Sequence, residues 1–132
     1  MANDKIVPGK SHSTTVTVNS TNTATAVHSG GLEVFSTPSM IALMECAGYE
    51  CIEADLEPGQ TTVGTMVNIV HAAASPVGAT ITATATVTSI EKRMVHFNVT
   101  ASDGHGEIGS GTHTRAIIDI ERFMAKLEAK KV

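Results

Sequence analysis

Residues 35–48 read Phe-Ser-Thr-Pro-Ser-Met-Ile-Ala-Leu-Met-Glu-Cys-Ala-Gly, an apolar helical stretch with one carboxylate, Glu45, set inside it. Thr37-Pro38 marks the helix start, because a threonine hydroxyl can cap free amides and a proline at the first helical position gives up no hydrogen bond. The spacing predicts a helix from Pro38 to about Ala54. Met40, Ile41, Leu43, Met44, Ala47, Cys51 and Ile52 make its early turns apolar, while Glu50, Glu53 and Asp55 collect at its far end. Leu56-Glu57-Pro58-Gly59 ends it with a breaker pair. A carboxylate removed from water is costly unless paired or hydrogen-bonded, so Glu45 is the first candidate for chemistry.

Beyond the helix the period changes from about four to two. Runs at 61–74, 78–90, 93–102 and 107–120 predict four consecutive antiparallel strands, a meander. In Thr80-Ile-Thr-Ala-Thr-Ala-Thr-Val-Thr88 the threonines line one face and Ile81, Ala83, Ala85 and Val87 the other, so one face is wet and one packed. The small Ala83 and Ala85 leave room for the helix to approach. Segment 75–78, Glu91-Lys92 and residues 103–106 supply turns. Before the helix, residues 13–27 predict one or two edge strands, and His28-Ser-Gly-Gly31 a turn or flexible loop placed to act as a lid. Residues 121–131 have the composition of a short terminal helix. One long helix held by an antiparallel sheet is an α+β architecture, and 1–132 read as a single domain without internal repeat or linker.

Composition narrows the function. Of 132 residues 42% are hydrophobic, enough for one core, and the net charge of -4 argues against a nucleic-acid binder. No apolar run approaches the length of a membrane helix, and the first residues lack the order of a signal peptide. Cys46 and Cys51 are five apart, so a helix points them to different faces. Two reduced thiols suit a cytoplasmic protein. No His or Cys spacing resembles a zinc site, and no metal is expected. Gly109-Ser110-Gly111 is too short for a serine-hydrolase elbow, and Gly104-His105-Gly106 lacks the Lys and Ser/Thr of a phosphate loop.

The segments Phe35-Ser-Thr37-Pro38 through Glu45, Leu56-Glu-Pro-Gly59 with Val63-Gly64-Thr65, His71-Ala-Ala-Ala-Ser-Pro76 and Glu107 through His113 to Arg115 together resemble the hotdog-fold acyl-CoA thioesterases, in particular the fluoroacetyl-CoA thioesterase type. The resemblance runs from Phe35 to about Lys126. It ends before Phe35, where that type carries a longer lid with more aromatic residues. It implies a hotdog fold, with a long central helix wrapped by a curved antiparallel sheet. It also implies a homodimer, open to higher assembly, with active sites along the shared interface. Thr37, Glu45 and His71 match the catalytic trio and Gly64 a glycine beside the reacting thioester, and Phe35, His113 and Arg115 are further expected substrate contacts. The expected activity is hydrolysis of a short or modest acyl-CoA to a carboxylic acid and free CoA. No cofactor is needed, CoA being part of the substrate.

These residue types suit that chemistry. Glu45 can deprotonate water or attack the thioester directly, His71 can orient Glu45 or water or protonate the thiolate, and Thr37 can hydrogen-bond the carboxylate or the carbonyl. Amides at the helix start or at Gly64 can stabilise the oxyanion. Each residue also has a structural reading: Thr37 as an N-cap, Glu45 as a paired carboxylate, His71 as a core histidine beside Val67 and Ile69. His113 and Arg115, on the strand face of Gly109 and Gly111, would meet a CoA phosphate or solvent. Two alternatives stand beside hydrolysis: a hotdog acyl-thioester hydratase or dehydratase, and a non-catalytic acyl-CoA-binding dimer.

Overall fold

The structure, a computed structural model, describes residues 2–131. Strand β1 (Ser11–Thr17) precedes helix α1 (Thr37–Glu53), and then come β2 (Gln60–His71), β3 (Thr80–Glu91), β4 (Met94–Ser102), β5 (Glu107–Asp119) and helix α2 (Ile120–Glu128). All strand pairs are antiparallel and the sheet order is β1-β3-β4-β5-β2. The expected meander therefore holds for β3, β4 and β5 only. β2 does not pair with β3 but crosses to the far side of β5, leaving β1 and β2 as the sheet edges.

The alternation in β3 is realised as read: Ile81, Ala83, Ala85 and Val87 are buried. In β4 the same face presents Val95, Phe97, Val99 and Ala101. Against it lie Met40, Leu43, Met44, Ala47, Cys51 and Ile52 of α1, which packs mainly on β3 and β1. Burying each large apolar side chain stabilises the fold by about 1.5–3 kcal/mol, so the helix is held by its packed face and not by its intrinsic propensity.

Residues 18–36 carry no long strand. Asn19 and Asn22 stop β1: Asn19 Oδ1 accepts from the Thr21 amide (2.8 Å) and hydroxyl (2.6 Å), and Asn22 Nδ2 donates to Thr17 O (3.0 Å). The chain then doubles back through a Thr23–Phe35 bridge, and the Phe35 and Ser36 amides bond Ser75 O and Asn22 O at 2.9 and 3.0 Å. This ties the two ends of the loop that contains His28–Gly31 to each other and to the start of α1.

Small residues set how closely β2 leans over β5. A Cβ at Gly109 would stand 2.7 Å from the Met40 sulfur and 2.8 Å from Val70 O, and one at Gly111 would collide with Asn68 O and sit 2.7 Å from Ile69 Cα. The Gly111 collision is with backbone, which has no rotamer to yield. Gly111→Ala is expected to lower stability in urea unfolding by about 1–3 kcal/mol, and an unchanged midpoint would contradict this packing.

Candidate active site

The start of α1 places the first pair. The N-cap is Ser36 and not Thr37: the Ser36 hydroxyl accepts from the Ser39 amide (3.1 Å) and donates to Ser39 Oγ (2.6 Å). Pro38 accordingly occupies the second helical position. With capping assigned to its neighbour, Thr37 is free to turn outward, and its Oγ1 lies 2.7 Å from His71 Nδ1 at the end of β2. The other ring nitrogen, His71 Nε2, is buried and has no hydrogen-bond partner among the described residues. Thr37 and His71 line a pocket of about 240 Å³ with Ala24, Phe35, Ser36 and Ala72. Phe35 is 1% exposed and forms part of the wall.

Glu45 stands elsewhere. Eight helical residues separate it from Thr37, about 12 Å of rise. Its Oε2 lies 2.8 Å from the position that a Cβ on Gly64 would take, with His113 Cε1 at 3.3 Å and Arg115 Nη1 at 3.5 Å from that same point. The missing side chain at Gly64 is what admits the carboxylate. Glu45 is half-buried, less enclosed than its apolar sequence neighbourhood implied. One protomer therefore joins Thr37 to His71 and Glu45 to Gly64, but does not bring the two pairs together.

The strand that links them contains a bulge. Gly64 pairs with Arg115 and Met66 with Thr114, so Thr65 is an extra residue. Gly64 and His71 are seven positions apart, which on a regular strand puts their side-chain directions on opposite faces. The inserted residue turns both toward α1. The bulge is held from both sides, by Thr65 Oγ1 donating to Thr114 O (3.2 Å) and by His113 Nδ1 bonded to Met66 O (2.8 Å).

His113 and Arg115 are 1% and 7% exposed, so neither solvent nor an open phosphate site is the setting the structure gives them. Arg115 Nε donates to Thr62 Oγ1 (2.8 Å), Nη2 to Thr62 O (3.1 Å), and its guanidinium lies 5.7 Å from the Tyr49 ring centroid. Met66 O can only accept, so Nδ1 of His113 carries the proton and Nε2 accepts from Arg115 Nη1 at 3.3 Å. Burial chiefly, and Arg115 in addition, hold the His113 pKa below its ordinary value, against the opposing pull of Met66 O and Glu45. Gly48 leaves room for this pair, since a Cβ there would be 3.2 Å from His113 Cδ2. Tyr49, Thr62 and the Met66 carbonyl were not identified from sequence, because their roles depend on the β2–β5 register and the bulge.

Cys46 and Cys51 are free thiols, and burial, as the leading cause, raises both above the usual thiol range. Neither has the character of an activated nucleophile.

A family model of the fluoroacetyl-CoA-specific thioesterase matches residues 18–121, which extends the likeness back across the segment before Phe35. A fluoroacetyl-CoA thioesterase of Streptantibioticus cattleyicolor is 47% identical over 98 residues, covering 74% of this chain and 70% of that protein. The solved structure of the fluoroacetyl-CoA thioesterase FlK superposes with a TM-score of 0.92 at 37% identity, over 98% of this chain and 100% of that one. A hot-dog-like protein of Thermanaerovibrio acidaminovorans, 23% identical, shares the fold with a TM-score of 0.90 over 98% and 96% of the two chains. The architecture is thus the α+β hotdog fold, and the chain belongs to the fluoroacetyl-CoA-specific thioesterase family.

Proposed function

We propose that the chain hydrolyses a short acyl-CoA as a homodimer whose active sites each combine Glu45 and Gly64 of one protomer with Thr37 and His71 of the other. That it is a thioester hydrolase acting on acyl-CoA follows from its family. The observation that carries the composite site is the split itself: two half-sites on one face of an edge strand. β2 pairs only with β5, so its outer backbone groups have no partner among the described residues, and Met66 and Val70 on it are 41% and 66% exposed. Such an edge invites pairing. A two-fold antiparallel pairing of β2 with its copy would lay the Gly64 region of one chain against the His71 region of the other, because residues on the two sides of the axis exchange places.

At such a site Glu45 takes a proton from water as the water oxygen bonds to the thioester carbonyl carbon, or bonds to that carbon itself to form an anhydride that water then opens. Backbone amides at Gly64 or at the start of α1 hold the oxyanion. Its collapse breaks the carbon–sulfur bond, and the CoA thiolate leaves with a proton from His71 Nε2 or from solvent. With Nε2 protonated, Nδ1 accepts from Thr37 Oγ1, which fixes the ring. Water is the only co-reactant and no cofactor is required. The small pocket at Thr37 and His71 supports a short acyl group, and the two free thiols support a cytoplasmic setting.

Thiol release from a panel of acyl-CoAs tests this reading. Glu45→Gln is expected to lose about 100-fold or more in kcat and Thr37→Ala about 10-fold or more, both remaining folded. Product that retains CoA would point to the hydratase reading, and binding without turnover, unaffected by Glu45→Gln, to a binding module.

The His113 staple has a pH signature. Its pKa is lowered in the folded chain, so below about pH 6.5 the unfolded chain takes up a proton that the folded chain resists. Stability is expected to fall on acidification from that point, by at most about 1.4 kcal/mol per pH unit from this group. His113→Gln should flatten the slope in urea titrations at pH 7.5 and 5.5, and parallel wild-type and variant profiles would contradict the assignment.

A further inference from the structure

Thr37 opens α1 and His71 closes β2, so their contact joins two elements that arrive from different parts of the chain. Just beyond each of them the chain enters one joint. The Phe35 amide, two residues before Thr37, donates to the carbonyl of Ser75, four residues after His71, at 2.9 Å, and Val34 bridges Pro76 beside it. Between His71 and the joint run Ala72, Ala73 and Ala74, all exposed. They border the pocket of about 240 Å³ that contains Thr37, and Ala73 and Ala74 also border a hollow of about 340 Å³ against the β4–β5 turn. Alanine methyls beside open space gain little from packing, so hydrogen bonds have to fix this path.

The Ala72 and Ala73 amides donate to Ile108 O at 2.7 and 3.2 Å. Ser75 supplies the remaining hold. It is 0% exposed, and its hydroxyl donates to Asp103 Oδ2 at 2.9 Å, while Asp103 Oδ1 accepts from the His105 amide at 3.0 Å. The His105 amide first and the Ser75 hydroxyl second keep the Asp103 carboxyl below its ordinary value. It is a carboxylate at neutral pH, and a hydroxyl bonded to an ionised acceptor makes one of the stronger hydrogen bonds. We propose that Asp103 and Ser75 are positioning residues for the hydrolysis, acting through the Ser75–Phe35 joint to hold His71 Nδ1 against Thr37.

This inference rests on the Thr37–His71 half of the proposed site, and two readouts keep them apart. In thiol release, Ser75→Ala and Asp103→Ala are expected to lose about tenfold in kcat with KM changed by less than about twofold. Asp103→Asn can still accept from the His105 amide and donate to Ser75 Oγ, and should recover most of that loss. On a Thr37→Ala background Asp103→Ala should cost less than about twofold more, because both act on one contact. In nitrogen NMR spectra the His71 Nδ1 resonance of Ser75→Ala and Asp103→Ala should move toward its position in Thr37→Ala. Thermal midpoints check folding, and Ser75→Ala, which removes a single hydroxyl, carries the test if Asp103→Ala does not fold. Unchanged kcat, or losses that multiply with that of Thr37→Ala, would overturn the assignment. Wild-type thiol release by Thr37→Ala would instead sink the half-site reading. The resonance then decides the joint alone: a shift in Ser75→Ala retains Ser75 and Asp103 as the hold on His71, and an unmoved signal overturns it.

Discussion

The arrangement of this site depends on one extra residue in an edge strand. Thr65 has no counterpart on β5, and its insertion puts Gly64 and His71, an odd number of residues apart, on the same face of β2. Remove it and one of the two half-sites turns to the outer surface. The bulge is therefore stapled, by Thr65 to the Thr114 carbonyl and by His113 to the Met66 carbonyl. The second staple demands neutral His113, because the nitrogen that does not hold Met66 must accept from Arg115. Arg115 in turn is anchored to Thr62 on β2. A buried, hydrogen-bonded network of this kind fixes geometry at some expense in stability, and here the geometry it fixes is that of Gly64 and the carboxylate above it.

Much of this was legible in the sequence where a single local rule governs. The alternation of threonine with Ile81, Ala83, Ala85 and Val87 gave the packed face of β3 because side-chain direction in a strand follows parity alone. The run from Met40 to Ile52 gave the buried face of α1 for the same kind of reason. Thr37, Glu45, Gly64 and His71 could be picked out through the family resemblance, and the structure pairs them two by two. What escaped depends on pairings between distant segments. The strand order, with β2 beyond β5, cannot be read from turn signals, since the residues after β2 form no tight hairpin. Ser36 rather than Thr37 caps α1, a choice between adjacent hydroxyls that only the path of the incoming chain decides. His113 and Arg115 look like surface groups beside two glycines. They are buried because α1 comes down on them at Gly48, where a Cβ would stand 3.2 Å from His113 Cδ2 and 3.6 Å from Arg115 Cδ.

The β2 edge and the β5–α2 end differ in character. The β2 edge carries Gly64 and His71, exposed apolar side chains and outer backbone groups without a partner among the described residues, features that support the proposed pairing with a second copy. The β5–α2 end, with the turn at 91–93, carries six of the nine Lys and Arg residues of an otherwise acidic chain.

The most direct test of the central claim is complementation between two inactive variants. Glu45→Gln and His71→Ala chains are co-expressed and the mixed dimers assayed for thiol release. If each site draws Glu45 from one protomer and His71 from the other, a mixed dimer regains one intact site, and a random mixture should recover roughly a quarter of wild-type activity. Activity no higher than that of the separate variants would contradict the shared site and return all three residues to a single chain.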